Sequence, residues 1–191
     1  MKKIGMVLLV VFLVFIVGFG WYRRGFDTAI LLDETVKSSW AQVENQLQRR
    51  NDLIPNLVNT VKGYAAQERD IFTEVTRLRS QWGQSQAIED RIENAQAMTS
   101  ALSRLLLVAE NYPQLKSNEN FLALQTQLEG TENRIAVERM RYNQAAQNLN
   151  SFRRTFFGRF FASQTGITHP AVYFQAEPSA QKVPVVNFKS N

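Results

Sequence analysis

The 191-residue chain carries a formal charge of +5 and a pI near 9.7, which on their face suggest a polyanion partner. However, Lys2, Lys3, Arg23 and Arg24 flank the first apolar segment, and taking those four from 22 basic residues leaves 18 against 17 acidic ones. The remainder is nearly neutral, so nothing global points to nucleic acid. Cysteine is absent, which excludes disulfides, thiolate nucleophiles and Cys-ligated metals.

The first element runs from Ile4 to Tyr22 as IGMVLLVVFLVFIVGFGWY, uncharged and long enough at about 1.5 Å per residue to cross a hydrocarbon core of about 30 Å. Ile4, Leu8, Phe12, Phe15 and Phe19 would face lipid, and Trp21 and Tyr22 stand where an interfacial aromatic belt belongs. A cleaved signal peptide is the rival reading, but the run is long and no A-x-A-like site follows it. An uncleaved single-pass anchor over residues 1–24 is therefore expected. Lys2 and Lys3 on one side oppose Arg23 and Arg24 on the other, so charge alone barely sets its orientation.

From Val36 the apolar positions step in fours and threes through Trp40, Val43, Leu47, Ile54, Leu57, Val61, Tyr64, Ile71, Val75, Leu78 and Trp82. This is a heptad seam, interrupted only at Arg50 and Glu68. A second seam passes through Ile88, Ile92, Ala95, Leu102, Leu105, Ala109 and Tyr112, with Ser85 as N-cap and Pro113 as terminator. A third joins Phe121, Leu124, Leu128, Ile135, Tyr142, Ala145, Leu149, Phe152 and Phe156, with Ser117 or Asn118 as cap and Thr131 and Glu138 as its polar positions. No stretch shows sustained period-two alternation. The expected fold is all-α: an N-terminal transmembrane helix followed by a four-helix up-and-down antiparallel bundle.

The sequence QLQRRNDLIPNLVNT, Gln46 to Thr60, bears on the helix count. A proline inside a helix costs about 3 kcal/mol, and Asn51 or Asp52 would cap a restart. The seam nevertheless keeps its phase across Pro55, which favours a kinked continuous helix, with reversal near Gly63. Helices are expected near 27–63, 66–82, 86–112 and 118–158, within a bundle domain over 25–162. A three-helix bundle with one very long first helix is the alternative. The fourth helix ends in SFRRTFFGRFF, where Arg153, Arg154, Phe157, Arg159 and Phe160 would suit contact with anionic lipid, but the favoured reading is that some phenylalanines close the base of the core, Phe152 and Phe156 being on the seam, and the arginines are solvated. Residues 163–191, with their prolines and small polar residues, read as an extended or disordered tail.

Little catalytic chemistry is available. His169 is the only histidine and lies before Pro170 in the expected tail, so an H-E-x-x-H motif and a histidine ligand pair are excluded and a Ser-His-Asp set is not expected. No catalytic residue, metal, cofactor or small-molecule substrate is expected. Glu68, Glu110 and Glu138 lie at or beside seam positions, where carboxylates commonly pair with arginine to set register. If the first helix reverses near Gly63, Arg50 falls level with residues 129–132 of the last helix, predicting a pair with Glu129 or Glu132.

The residues WAQVENQLQRRNDLIPNLVNTVKGYAAQE at Trp40 to Glu68, VAENYPQLKSNENFLALQTQLEGTENRIAVERMRYN at Val108 to Asn143, and YFQ at Tyr173 to Gln175 resemble the LemA family of bacterial membrane-associated proteins. The resemblance covers the whole bundle and implies a membrane segment followed by four helices. It carries over no catalytic residue or cofactor. Family members are often encoded near membrane proteases or other membrane proteins, implying a partner or scaffold role at the cell envelope. The motif positions it highlights are Arg49, Arg50, Asp52, Pro55, Asn56, Glu68, Tyr112, Pro113, Glu132, Asn133, Arg134, Tyr142 and Asn143. Many relatives look lipoprotein-anchored, with a cysteine where this chain has VGFGWY, so a transmembrane anchor stands here instead and the analogy places the bundle outside the cytoplasmic membrane. The RRTFFGRFF segment is also richer in Arg and Phe than the family pattern. The expected function is a non-enzymatic, membrane-tethered interaction protein that meets the bilayer, envelope membrane proteins or copies of itself, with membrane organisation through the Arg/Phe segment as the alternative.

Overall fold

A computed structural model describes residues 2–175. Among the described residues there are six helices and no strands: α1 (Lys2–Lys62), α2 (Arg69–Gln84), α3 (Ile88–Glu110), α4 (Pro113–Lys116), α5 (Glu119–Arg154) and α6 (Phe156–Gln164). The all-α bundle follows the seams, and its most buried apolar residues are largely those in four-three register.

The apolar stretch expected as an anchor and the first bundle helix are one continuous helix of 61 residues, without the break expected after residue 24. Arg23-Arg24-Gly25 contains no proline, and one glycine costs only about 1 kcal/mol, too little to stop propagation. Pro55 lies inside the same helix. Its missing N–H deprives the carbonyl of Asn51 of its ordinary partner four residues on. Arg79 of α2 supplies a replacement, donating from Nε to the Asn51 carbonyl at 3.4 Å. Neither Asn51 nor Asp52 caps a restart; Asp52 instead accepts from Gln48 one turn back, at 2.8 Å. The compensation is testable by a double-mutant cycle. Arg79→Ala is expected to cost about 1 kcal/mol in denaturant unfolding with Pro55 present, and much less with Pro55→Ala, whose own N–H restores the helix bond.

The described residues form two compact units, the first comprising 2–43 with 138–171 and the second 44–137 with 172–175. In the second, helical segments from α1, α2, α3 and α5 surround one core that includes Ile54, Leu57, Val61, Phe72, Val75, Leu78, Met98, Leu102, Leu105, Phe121 and Leu128. The α1–α2 reversal occupies residues 63–68, so the four-helix expectation holds there over the three-helix alternative. Tyr64 leaves the seam because it lies in this turn, and Ala65 is buried in its place. Ser85 caps nothing at α3, whose N-cap is Ala87 without a side-chain bond; Ser85 ends α2 and its carbonyl accepts from Arg91 Nε at 2.8 Å. Asn118 does cap α5, its Oδ1 accepting from the Phe121 N–H at 3.0 Å.

In the first unit Ala29, Val36, Trp40 and Val43 of α1 and Tyr142, Ala145, Ala146 and Leu149 of α5 are buried. Trp40 and Tyr142 meet edge to face with centroids 5.5 Å apart. α5 stops at Arg154, four residues short of the expected end, because Thr155 turns extended and its hydroxyl caps α6 by accepting from the Gly158 N–H at 3.0 Å. That interruption corrects the reading of Phe156 as a core residue: the phase slips and Phe156 is 85% exposed. α6 closes at Gly166, whose φ of +81° is a left-handed conformation that glycine adopts without strain. Of the tail expected over 163–191, residues 176–191 lie outside the described residues. Residues 163–164 finish α6, and Ala171 exchanges two hydrogen bonds with the Asn150 side chain, at 2.8 and 2.9 Å.

Candidate functional site

Arg50 is the most unusual residue of the second unit, a seam arginine with only 1% of its surface exposed. Its Nη1 donates to Glu132 of α5 at 3.0 Å and to the Thr99 hydroxyl of α3 at 2.9 Å, while Nη2 donates to the Ala95 carbonyl at 3.2 Å. One guanidinium thereby ties together α1, α3 and α5. Between the two expected carboxylates it is Glu132 that pairs; Glu129 accepts from Gln125 instead. Burial pushes the guanidinium below its usual range, and the Glu132 carboxylate pulls it back. Thr99, which completes this set, escaped sequence reasoning. The available signal was a hydroxyl one turn after Ala95 on the facing seam.

A second set of motif residues gathers where the α1–α2 turn of the same unit meets α4. The Tyr112 hydroxyl donates to Glu68 at 3.3 Å and accepts from Gln67 at 2.6 Å. Burial first, and then the Glu68 charge, raise the phenol above its ordinary value. Asn118 donates to the Tyr64 hydroxyl at 3.0 Å, and Pro113 occupies the first turn of α4, where its missing N–H costs nothing. The expected arginine pairing of the three seam carboxylates therefore needs correction. Glu68 meets a tyrosine because it sits in a turn rather than on a helix, Glu110 pairs with Lys116, and only Glu138 takes an arginine, Arg141, at 2.7 Å. The Tyr173–Gln175 motif is also engaged: Phe174 is buried, and the Gln175 carbonyl accepts from Gln96 at 3.0 Å.

Other motif residues point outward. Arg49, Asp52 and Asn56 are exposed on α1 at spacings of three and four, and Asn133 and Arg134 are exposed on α5. Pro55 and Asn143 are half-buried, and Tyr142 is buried against Trp40. Among the described residues no three of His, Asp and Glu are grouped to hold a metal ion.

The first unit holds a different kind of surface. Ile4, Leu8, Phe12, Phe15 and Phe19 are exposed along α1, which is long and apolar enough to cross a membrane. At the end of that stretch Trp21 meets Phe157 and Phe161 of α6 edge-on, at 4.8 and 5.7 Å, and Tyr22 meets Phe161 at 6.0 Å. Gly25 makes this approach possible, since a β-carbon there would collide with the Phe161 ring. Arg154, Phe157, Arg159 and Phe160 are exposed around this contact, whereas Arg153 is half-buried and donates to the Thr168 carbonyl at 2.6 Å.

An exposed apolar helix continuous with a helical bundle that holds a buried, paired arginine defines a membrane-associated all-α bundle protein. More particularly, the chain belongs to the LemA family, whose model matches residues 39–188. It is similar to the magnetosome proteins MamQ 1 and MamQ 2 of Paramagnetospirillum magneticum, at 28% identity over 181 residues. It is also similar to MamQ of Magnetospirillum gryphiswaldense, at 24% identity over 180 residues. Each match covers 81% of this chain and 66% of the relative, so the chain spans just under two thirds of the length of these relatives.

Proposed function

We propose that the protein is a non-enzymatic, single-pass interaction scaffold of the bacterial cytoplasmic membrane, with its bundle on the outer side, meeting envelope membrane proteins or copies of itself. The observation that carries this reading is how the motif residues divide. Arg50, Glu68, Tyr112 and Asn118 are engaged within the fold, which leaves Arg49, Asp52, Asn56, Asn133 and Arg134 as outward polar groups available to a partner. The three seam carboxylates have cationic or phenolic partners rather than one another, so they do not form the close carboxylate pair that acid-base work would use. The magnetosome relatives support membrane association as the setting.

Site-specific photocrosslinking in intact cells tests the proposal. A photoreactive residue placed singly at Asp52, Asn56 or Arg134 is expected to give discrete adducts with a membrane protein or a second copy. Absence of adducts at all three positions, with the chain still membrane-integrated, would overturn it. Because the chain has no cysteine, Arg49→Cys provides a clean topology reporter. Labelling by an impermeant maleimide from outside spheroplasts is expected, and labelling only after lysis would refute the outward orientation.

A further inference from the structure

We infer that α6 is a second membrane-contact element: an interfacial helix that lays Phe156, Phe157 and Phe160 into the bilayer beside the emerging end of α1 and sets Arg154 and Arg159 against anionic lipid headgroups. This rests on the single-pass reading of α1 and adds a second, peripheral attachment to it.

The helix is two-faced. Gly158, Phe161 and Ala162 are buried against the unit, whereas Phe156, Phe157 and Phe160 are 85%, 54% and 47% exposed. At about 100° per residue those three rings share one arc of roughly 100° over the first two turns. Ser163 and Gln164 carry that arc into the last turn with polar side chains, so the apolar patch belongs to the N-terminal part of α6. Three exposed phenylalanines on a nine-residue helix are costly to leave in water and are not needed for the core.

What covers them follows from where they are held. Edge-on contacts from Trp21 to Phe157 and Phe161 fix α6 to the aromatic end of the apolar stretch, the level of a bilayer interface. Trp21 and Tyr22 are themselves exposed and continue the patch onto the lipid-facing surface of α1. Between them and the α6 rings lies an open groove of about 800 Å³ that Arg154 and Arg159 also border. Arg23 and Arg24 add two more exposed cations one turn away, with Asp27 the nearest acid along α1. Aromatic rings at the boundary with guanidinium groups beside them are the chemistry of an interfacial helix on an anionic leaflet.

The full chain, free of cysteine, permits a depth measurement with single nitroxide labels in nanodiscs. Phe160→Cys is the reporter. Leu13→Cys, on the apolar stretch, is the lipid reference, and Lys37→Cys, about 22 Å farther along α1 than Tyr22, is the aqueous reference. In discs containing phosphatidylglycerol, the Phe160 label is expected to resemble the Leu13 label, accessible to oxygen and several-fold less accessible to a water-soluble nickel chelate than the Lys37 label. Arg154→Glu with Arg159→Glu is expected to reduce the preference for anionic over phosphatidylcholine discs by about tenfold or more. A Phe160 label as nickel-accessible as Lys37 overturns the inference while leaving the span intact. A Phe160 label shielded from both oxygen and nickel in a concentration-dependent way assigns the patch to a second copy and likewise overturns it. A nickel-accessible Leu13 label refutes the single-pass reading itself, and the inference with it.

Discussion

Glu132→Ala is expected to destabilise the protein by about 3 kcal/mol, whereas Arg50→Met, which removes the other member of the same pair, is expected to cost no more than about 1 kcal/mol. The asymmetry comes from burial. Arg50 is 1% exposed and cannot recover water when its carboxylate is deleted, so a charge is left in the core with only Thr99 and the Ala95 carbonyl as partners. Glu132 is 30% exposed and can rehydrate once the guanidinium is gone, while methionine fills most of the vacated volume. The double variant should be close to Arg50→Met alone, giving a coupling of about 3 kcal/mol between two residues 82 positions apart in the chain. Denaturant unfolding in detergent, followed by helical circular dichroism, measures all four corners of the cycle. Equal losses for the two single variants, or a worse loss for Arg50→Met, would mean that the pair is a net source of stability rather than a mutual neutralisation of buried charge.

Gly158→Ala is expected to be the most damaging glycine-to-alanine change among the described residues, at about 2 kcal/mol or more. Its new β-carbon would collide with the Phe152 carbonyl and with the Thr155 hydroxyl, the two groups that form the α5–α6 joint. A backbone oxygen cannot rotate away as a side chain can, so α6 must shift as a whole. The rings of Phe157 and Phe161 would then leave Trp21, and tryptic cleavage after Arg159 should accelerate while tryptophan emission moves to the red. The matched control is Gly130→Ala in α5, where a β-carbon meets nothing within 4 Å and the gain in helix propensity should stabilise by up to about 1 kcal/mol. Unchanged cleavage and emission in Gly158→Ala would show that α6 tolerates displacement.

These two sites differ in how much of them the sequence disclosed. A charged residue at a heptad position must find a partner, and counting turns from the reversal narrowed that partner to two glutamates. The count could not choose between them, because adjacent turns of one helix differ by a few ångströms in height and the choice rests on side-chain reach. The joint at Thr155 was less visible. Phe152 and Phe156 keep the four-residue spacing of a continuing helix, and only the capping geometry of a threonine, combined with a glycine three residues later, ends it. The aromatic contacts of Trp21 and Tyr22 with α6 join residues about 140 positions apart, a separation at which periodicity says nothing.

Read alone, the sequence determined the apolar N-terminal helix, the all-α class, most of the register of the seams, the need to neutralise Arg50, and the lack of cysteine for disulfides or thiolate ligands. Each of these depends on composition or on a period of three to four residues, which the chain writes out locally. Only the tertiary structure decided how Pro55 is accommodated, since the donor that replaces its missing N–H comes from Arg79 on another helix. It also decided that Glu68 meets Tyr112 rather than an arginine, and that the Arg/Phe segment is a separate helix held against the end of the apolar stretch. The common physical reason is that hydrogen bonding and ring packing act over a few ångströms in space, between residues whose distance along the chain carries no information about that proximity.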